Sequence, residues 1–476
     1  MVKAATQDKV PITRAEGLGL VAMGLAVLVI ANDFTALSIA IPAIEQDLDS
    51  DVTTTQWVIN GYALVFGILI VTGGRLADMF GRRRIFFIGS AIFAVFSVLA
   101  GLADDVWLLL LARAVMGVGG ALMWPAILGM TFAIVPRNRA GIAGGLILGM
   151  AGFGNAVGPL LGGVLTDLAS WRWIFFLNLP IAAFAAFVTW RVVPATRPED
   201  AERRLDYGGI VALSVALLAL LLALDLGADE GWTDPIIVGL FAVAAVGVVL
   251  FGLIERSVGD RALVPKDVIQ NQAFFTAGLA TLLMSAIFFA ALLYLPQFMT
   301  KELGFSPLKA GVGLLPMMGL FALASFVSGP LYSRVGPKLI VSAGAICLAS
   351  GIFMLSWVDT IDSYQGLVIG MIVVGAGIGL FLSSITTVAI TALDESRASL
   401  GGAIVYMFQI AGGAVGLGLN TALVVTASSL PDGIHTAFLV DTALALCGLA
   451  VVILFVGGRV DEERIRNLRH HHRAHA

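Results

Sequence analysis

Charged residues are scarce in this chain. Aspartate, glutamate, lysine and arginine make up 13% of its 476 residues, whereas 59% of the residues are hydrophobic. A soluble domain carries about 25% charged residues, because its surface must be hydrated. The composition therefore excludes an ordinary soluble protein and predicts a chain that crosses a lipid bilayer repeatedly.

Cysteine is also rare. The only two cysteines, Cys347 and Cys447, lie in apolar runs, so neither a disulfide framework nor a metal cluster is expected. Residues 1–17 lack the pattern of a cleavable signal, and the apolar run that follows is long enough to span a membrane. The loops contain no nucleotide-binding, nucleophile or metal-ligand motif, so no enzyme is predicted.

Long apolar runs dominate the sequence. Fourteen segments approach the ~20 residues that a helix needs to cross the hydrocarbon core. The fourteen segments lie at 18–42, 55–76, 84–102, 105–131, 140–167, 172–193, 207–227, 234–255, 273–299, 307–332, 338–357, 366–391, 399–427 and 436–458. The sequence thus predicts an all-α integral membrane protein with fourteen transmembrane helices.

Basic residues are distributed unevenly between the predicted loops. If the N-terminus is cytoplasmic, the outer loops hold only three of the 28 lysines and arginines, namely Arg172, Lys301 and Lys309. Cytoplasmic loops of membrane proteins carry the excess of basic residues. We therefore expect both termini to be cytoplasmic, and the arginine-rich, lysine-poor loops favour a bacterial inner (plasma) membrane.

Two parts of the chain carry the same short motifs. The turn at 74–84 recurs in fainter form at 329–338, and the segment 154–158 recurs at 412–416. Parallel internal repeats are typical of transporters. The repeat spacing covers eight spans, which predicts two six-helix bundles separated by two extra helices. The predicted division is a cytoplasmic N-terminus at 1–17, an N-terminal bundle at 18–193, a linker at 194–206, two extra helices at 207–255, a C-terminal bundle at 273–458 and a cytoplasmic tail at 459–476.

The turn between the second and third spans is the densest charged patch beside two apolar segments. Asp78 ends one span, Arg82 and Arg83 begin the next, and Gly74 and Gly81 permit a tight turn. An acid held against basic residues and a helix end can act as a conformational latch. The alternative is a short loop whose arginines only set membrane orientation.

Asp33 of the first predicted span and Arg113 of the fourth are ionisable residues within apolar segments, whereas Asp225 borders an outer loop and Asp441 stands at the start of the last span. A guanidinium within a spanning segment costs roughly 2.5–3.5 kcal/mol on insertion scales, so it must face a partner or water. Asp33 lies about 22 Å along its helix from Leu18, well inside the membrane. We expect the two side chains to pair, either as a proton-coupling site or as a fixed structural ion pair.

The fifth span combines glycines with a proline. Gly154, Gly158, Gly162 and Gly163 surround Pro159 at helical spacing. Proline kinks a helix, and glycines allow a second helix to press against the kink. The pattern predicts a specialised packing surface, with a close-packed helix of no further role as the alternative.

These motifs together resemble the major facilitator superfamily. The turn at 74–84 is similar to the signature of its loop 2–3, the segment 109–117 to its fourth-helix signature, and the segment 154–163 to its fifth-helix antiporter signature. The fourteen spans, Asp33 and the segment 171–180 resemble the fourteen-span drug:proton antiporter family. The resemblance extends over most of the chain and implies two bundles around a central cavity that opens alternately to each side. One departure is Ser333, which stands where Asp78 would repeat.

The resemblance implies proton-driven export of small amphipathic or cationic compounds (multidrug efflux). Protonation of Asp33 would release Arg113 and the substrate, whereas the ionised carboxylate would attract a cation. The implied partners are a small-molecule substrate, protons and the lipid bilayer, with no cofactor, metal or nucleic acid, in a monomer. Candidate cavity residues are Tyr62, Phe66, Met116, Phe153, Asn155, Phe288, Tyr294, Gln297, Tyr406 and Gln409. Two alternatives remain open: a dedicated exporter of one endogenous metabolite or antibiotic, and a non-transporting membrane sensor or enzyme.

Overall fold

The computed structural model describes residues 13–195, 206–259, 262–361 and 363–456, which form sixteen α-helices joined by short connections. Fourteen helical segments within these ranges are long and apolar enough to cross a membrane. The first eight helices are α1 (Arg14–Asp47), α2 (Val52–Phe80), α3 (Arg82–Gly101), α4 (Val106–Ile134), α5 (Ala140–Leu168), α6 (Arg172–Val192), α7 (Tyr207–Glu230) and α8 (Pro235–Val258). The remainder are α9 (Lys266–Ile269), α10 (Gln272–Lys301), α11 (Pro307–Gly313), α12 (Leu315–Val335), α13 (Pro337–Ser356), α14 (Tyr364–Thr391), α15 (Ala398–Val425) and α16 (Leu430–Phe455).

Local sequence accounts for several helix ends. Thr13 and Glu16 form a capping box at the start of α1, and Asp51 accepts a hydrogen bond from the Thr54 N–H at the start of α2. These side chains satisfy backbone N–H groups that have no partner within the helix. Gly81 and Gly336 end α2 and α12 with φ angles of 100° and 89°, a region that favours glycine. In both cases the next helix begins at the following residue.

Helix packing follows the internal repeat. In the N-terminal bundle α1 packs against α5 and α6, and α4 packs against α2 and α3; in the C-terminal bundle α10 packs against α15 and α16, and α14 against α12 and α13. The bundles meet along α5–α12 and α2–α15, while α7 and α8 pack on each other outside the bundles. The prediction of two six-helix bundles with two extra spanning helices is confirmed.

The tenth predicted span agrees with the candidate span Leu308–Val335, within which α11 ends at Gly313 and α12 begins at Leu315. The predicted start of the fourteenth span was wrong. The fourteenth span is α16, which begins at Leu430 rather than 436 and is capped by Ser429. The polar residues of its first turns lower the local hydropathy, but they do not interrupt the helix. Asp441 therefore lies inside this helix and is fully buried, instead of standing at its start.

Some predictions fall outside the described residues. The tail at 459–476 and residues 1–12 of the predicted cytoplasmic N-terminus lie there, as do residues 196–205 of the predicted linker. The structure therefore tests neither the ends of the chain nor most of the connection between α6 and α7.

Candidate functional site

The two intramembrane charges predicted to pair do so. Arg113 Nη1 of α4 forms an ion pair with Asp33 Oδ2 of α1, and both side chains are fully buried. Arg113 Nε donates a hydrogen bond of 2.6 Å to the Val58 carbonyl, and its guanidinium lies 4.3 Å from the centroid of the Tyr62 ring. The pair thus joins α1, α2 and α4. A buried guanidinium requires this surrounding set of acceptors and aromatic faces, because bulk water cannot solvate it.

A third polar side chain completes the site. Asn178 of α6 donates to Asp33 Oδ1 at 3.1 Å and to Ser97 Oγ at 3.2 Å. Sequence reasoning missed Asn178, although an amide in an otherwise apolar span is a usable signal. One carboxylate oxygen of Asp33 therefore accepts a hydrogen bond from a guanidinium, and the other accepts one from a neutral amide. A proton on this carboxyl would remove the charge that holds Arg113.

The predicted latch, comprising Gly74, Asp78, Gly81, Arg82 and Arg83, contacts the other bundle. Asp78 accepts hydrogen bonds from the backbone N–H groups of Ser399 (3.3 Å) and Leu400 (2.9 Å), in the first turn of α15. The residue before that helix, Arg397, supplies no side-chain cap. Asp78 of α2 thus caps a helix of the opposite bundle, where the helix dipole favours negative charge.

The two arginines of the latch make different contacts: Arg82 reaches the other bundle, whereas among the described residues Arg83 donates hydrogen bonds only within its own bundle. Arg82 Nε lies 3.2 Å from Asp78 Oδ1, and its other nitrogens donate to the carbonyls of Gly129 and Glu395. Arg83 donates to the carbonyls of Trp190 and Val193 at the end of α6, within its own bundle. Arg82 therefore belongs to the contact between bundles, and Arg83 tethers α3 to α6.

Gly74 permits this contact because it lacks a side chain. A Cβ atom at Gly74 would lie 2.7 Å from the Ala403 Cβ and 2.9 Å from the Ser399 carbonyl oxygen. The repeated position in the other half behaves differently: Ser333 is exposed, and its hydroxyl reaches only the Gly329 carbonyl of its own helix at 3.5 Å. Of the two repeated turns, the one at 74–84 in the N-terminal bundle thus carries the charged latch, and the one at 329–338 does not.

The glycines of the fifth span pack against α1. Cβ atoms at Gly154 and Gly158 would lie 2.9 Å from the Ala31 Cβ and 3.0 Å from the Thr35 Cβ, and one at Gly162 would overlap the Ala36 carbonyl. Gly163 faces the other bundle, where a Cβ would lie 3.2 Å from Leu308. This surface holds α5 close to the helix that carries Asp33.

Replacing Gly158 with alanine should lower thermal stability. The added methyl meets Thr35 and the backbone of Ala36, and overpacking of a close interface costs about 1–3 kcal/mol. The matched control is Gly239→Ala in α8, where the added methyl meets nothing within 4 Å and the helix gains about 0.5–1 kcal/mol. Thermal unfolding in detergent should therefore show shifts of opposite sign. Equal shifts would contradict a special packing role for Gly158.

The ten candidate cavity residues have unequal exposure. Phe153 is 46% exposed, and five are almost completely buried, namely Tyr62, Phe66, Met116, Phe288 and Tyr294. Asn155, Gln297, Tyr406 and Gln409 are half-buried. Tyr406 of α15 packs between Phe66 and Trp124, with ring centroids 5.6 and 4.7 Å away. In this conformation aromatic packing fills that part of the interface between the bundles, and the five buried residues offer no surface to a solute.

Comparison with known proteins agrees with the fold and the motifs. The sequence profile described as Major Facilitator Superfamily matches residues 23–322 and 274–474. The chain is 35% identical to the puromycin resistance protein pur8 of Streptomyces alboniger, over 92% of this chain and 88% of that protein. It is 32% identical to the multidrug resistance protein Stp of Mycobacterium tuberculosis, over 85% of this chain and 75% of that protein.

A solved structure shares the fold at low sequence identity. The crystal structure of the human organic anion transporter MFSD10 (TETRAN) aligns with a TM-score of 0.68 and 14% identity, over 92% of this chain and 99% of that chain. The paired bundles, the glycine-lined helix contacts and the profile match across the chain agree in one conclusion. The protein is a member of the major facilitator superfamily.

Proposed function

We propose that this protein is a proton-coupled antiporter that exports small amphipathic or cationic compounds by alternating access. The observation that carries the proposal is the buried Asp33–Arg113 ion pair, whose charge balance changes when one proton binds. An ion pair sealed from water is an expensive structural element, so a role in charge movement explains its presence better than stability does. No cofactor is required, because the proton gradient supplies the energy.

The cycle follows from the contacts of Asp33. With Asp33 ionised, its charge is held by Arg113 and Asn178. When Asp33 takes up a proton, Arg113 loses its anionic partner and must shift towards the Val58 carbonyl and the Tyr62 ring, which it already contacts. That local rearrangement in α1, α2 and α4 is the step that we assign to the exchange of proton and substrate.

Two relatives indicate different breadths of substrate. One is named for resistance to puromycin and another for multidrug resistance. Export of many compounds and export of one antibiotic can use the same scaffold, because substrate choice depends on cavity side chains. We propose multidrug export as the first candidate and a dedicated antibiotic or metabolite exporter as the second. With either candidate, we propose a monomer in a bacterial inner membrane with both termini in the cytoplasm.

Transport by energised membrane vesicles tests the proposal. A panel of cationic dyes and antibiotics, including puromycin, is offered to vesicles carrying the wild-type protein or Asp33→Asn. We expect flux that a proton ionophore abolishes and that Asp33→Asn lacks. Many weak substrates favour multidrug export, and one tight substrate favours the dedicated exporter. If no compound shows proton-linked flux, a non-transporting membrane protein becomes the better assignment.

A further inference from the structure

A second carboxyl group is buried in the C-terminal bundle. Asp441 lies about three turns into α16, ~16 Å along the helix from Leu430, and its relative exposure is 0%. Helix α16 packs against α10, α13 and α15. An ionised carboxylate is expensive at this depth in a membrane unless a cation or several donors compensate it.

The hydrogen bonds around Asp441 are incomplete by one donor. Asn420 of α15, also fully buried, uses its Nδ2 to donate to Asp441 Oδ1 at 3.1 Å and to the Gly416 carbonyl at 2.8 Å. Among the described residues, Asp441 Oδ2 and Asn420 Oδ1 have no hydrogen-bond partner. Two side chains in contact thus present two unmatched acceptors. One proton on Asp441 Oδ2 would convert an acceptor into the missing donor.

Among the residues that the structure describes, no cationic side chain of the neighbouring helices acts on Asp441. The titratable residue that interacts electrostatically with Asp441 is Tyr294 of α10, whose hydroxyl shares a hydrogen bond of 2.7 Å with Thr421. Helix α15 contributes the neutral Asn420, and no lysine or arginine of the described chain compensates Asp441. On α16 itself, His435 binds the Ser356 carbonyl. Asp441 therefore differs from Asp33, which is held by Arg113.

The remaining titratable groups of these four helices make contacts elsewhere and do not interact with Asp441. Lys301 ends α10, Lys338 stands in the first turn of α13, and Tyr406 of α15 packs on Trp124. Cys347 of α13 is half-buried, Cys447 of α16 is exposed, and Asp432 of α16 binds Ser428 and Ser429. None of them contributes to the interactions of Asp441.

The internal repeat places Asp441 at the position of Asn178. The six buried residues of α6 have the same intervals as six of the eight buried residues of α16, the other two being Gly433 and Ile434. Those of α6 are Ile174, Phe175, Asn178, Ala182, Ala185 and Thr189, and the matching residues of α16 are Ala437, Phe438, Asp441, Ala445, Gly448 and Val452. In the N-terminal bundle the residue at this position, Asn178, donates a hydrogen bond to a carboxylate. In the C-terminal bundle the residue at this position, Asp441, itself has the carboxyl group.

The other two members of the N-terminal site are replaced by apolar residues. Arg113 precedes Gly117 by one helical turn, and Met371 precedes the corresponding Gly375 by the same interval. Helices α1 and α10 correspond in the same way. The Leu28 carbonyl of α1 faces Gly154 of α5, and the Leu282 carbonyl of α10 faces the matching Gly412 of α15. This correspondence aligns Asp33 with Ile287, which like Met371 is fully buried.

We propose that Asp441 is a second proton-binding site, separate from the Asp33–Arg113 pair and protonated in this conformation. Protonation removes a charge that nothing nearby compensates and supplies the donor that the Asp441–Asn420 contact lacks. The binding of this proton stands without any assumption about transport. Its use in the export cycle rests on the function proposed above.

Infrared spectroscopy of the full-length protein in lipid nanodiscs tests the site. Protein grown with isotopically labelled aspartate should show the C=O stretch of a protonated aspartic acid at neutral pH. Asp441→Asn should remove this band, and the matched control Asp33→Asn should retain it, because Asp33 belongs to the separate contact with Arg113 in the other bundle. A wild-type spectrum without the band, or a band unchanged by Asp441→Asn, would overturn the proposal.

A second variant tests the site if Asp441→Asn does not fold. Asn420→Ser removes the amide that contacts Asp441, so the remaining C=O band should shift in frequency with its hydrogen bonding. A band that does not move would show that the protonated aspartate is elsewhere, and would also overturn the proposal. Loss of the Asp441 assignment leaves the Asp33-based transport proposal intact. A protein that shows the band but no proton-linked flux would instead remove the proposed function and retain the proton site.

Discussion

Replacing Arg113 with alanine is expected to abolish proton-driven export and to destabilise the protein. The substitution leaves Asp33 buried with Asn178 as its remaining side-chain donor. Removing one partner of a buried ion pair costs about 3–5 kcal/mol, because the other charge is left uncompensated. The variant also lacks the cation whose contact with Asp33 the proposed cycle makes and breaks. Vesicle transport and the thermal unfolding of the purified variant measure the two effects.

The C-terminal bundle provides the control for Arg113. Met371 occupies the matching position of α14 and is also fully buried, so Met371→Ala removes a large side chain without removing a charge. We expect Met371→Ala to lower stability by about 2–5 kcal/mol, as for other buried truncations, while the folded fraction still couples export to protons. Equal loss of coupling in both variants would mean that packing, and not charge, explains the effect of Arg113.

A double-mutant cycle separates pairing from proximity. If Asp33 and Arg113 act as one unit, Asp33→Asn combined with Arg113→Ala should cost less stability than the sum of the single changes. Neither charge is then left alone in the membrane. Strict additivity would show that the two side chains do not interact in the protein as it exists in lipid.

Replacing Asp78 with asparagine is expected to slow export while leaving substrate binding nearly unchanged. Asp78 accepts from two backbone N–H groups of α15 and lies beside Arg82, all at the contact between the bundles. A charge-assisted hydrogen bond contributes about 1.5–3 kcal/mol. Losing that amount from one conformation shifts the balance between the two conformations roughly tenfold or more.

Cysteine labelling can measure this shift. Thr387 is fully buried near the cytoplasmic end predicted for α14, against Gly144 of the other bundle. In a background with Cys347→Ser and Cys447→Ser, a cysteine introduced as Thr387→Cys should react faster after Asp78→Asn, because the bundles separate there more often. Ser333→Ala is the matched control at the repeated turn and should not change the rate. Weaker substrate binding with an unchanged labelling rate would contradict the latch.

The Asp33–Arg113 contact was predictable because charge within a membrane leaves few choices. Each residue is an isolated ionisable group in an apolar span of the N-terminal bundle, and lipid cannot solvate either. Asn178 was not predicted, because an amide carries no net charge and tolerates several environments. The partners of Asp78 could not be predicted at all: they are backbone N–H groups, which every residue except proline possesses.

Asp441 shows how a boundary error conceals a site. The polar residues between Leu430 and His435 lower the local hydropathy, so the sequence indicated a later helix start that put Asp441 near the membrane surface. In the structure the polar turns belong to the helix, and Asp441 moves to its interior. The assignment of a charged residue within a membrane protein therefore depends on helix ends, the feature least determined by hydropathy.

The sequence by itself determined the number of spans, the internal repeat and the pairing of the two charges in the N-terminal bundle. These follow from a local demand, since each spanning segment must satisfy its own backbone in lipid and each buried charge must be neutralised. Only the tertiary structure decided which helix Asp78 caps, which residues fill the interface between the bundles, and that Asp441 faces Asn420. Those contacts join residues far apart in the chain, and they depend on how helix faces turn towards one another, which composition and hydropathy leave open.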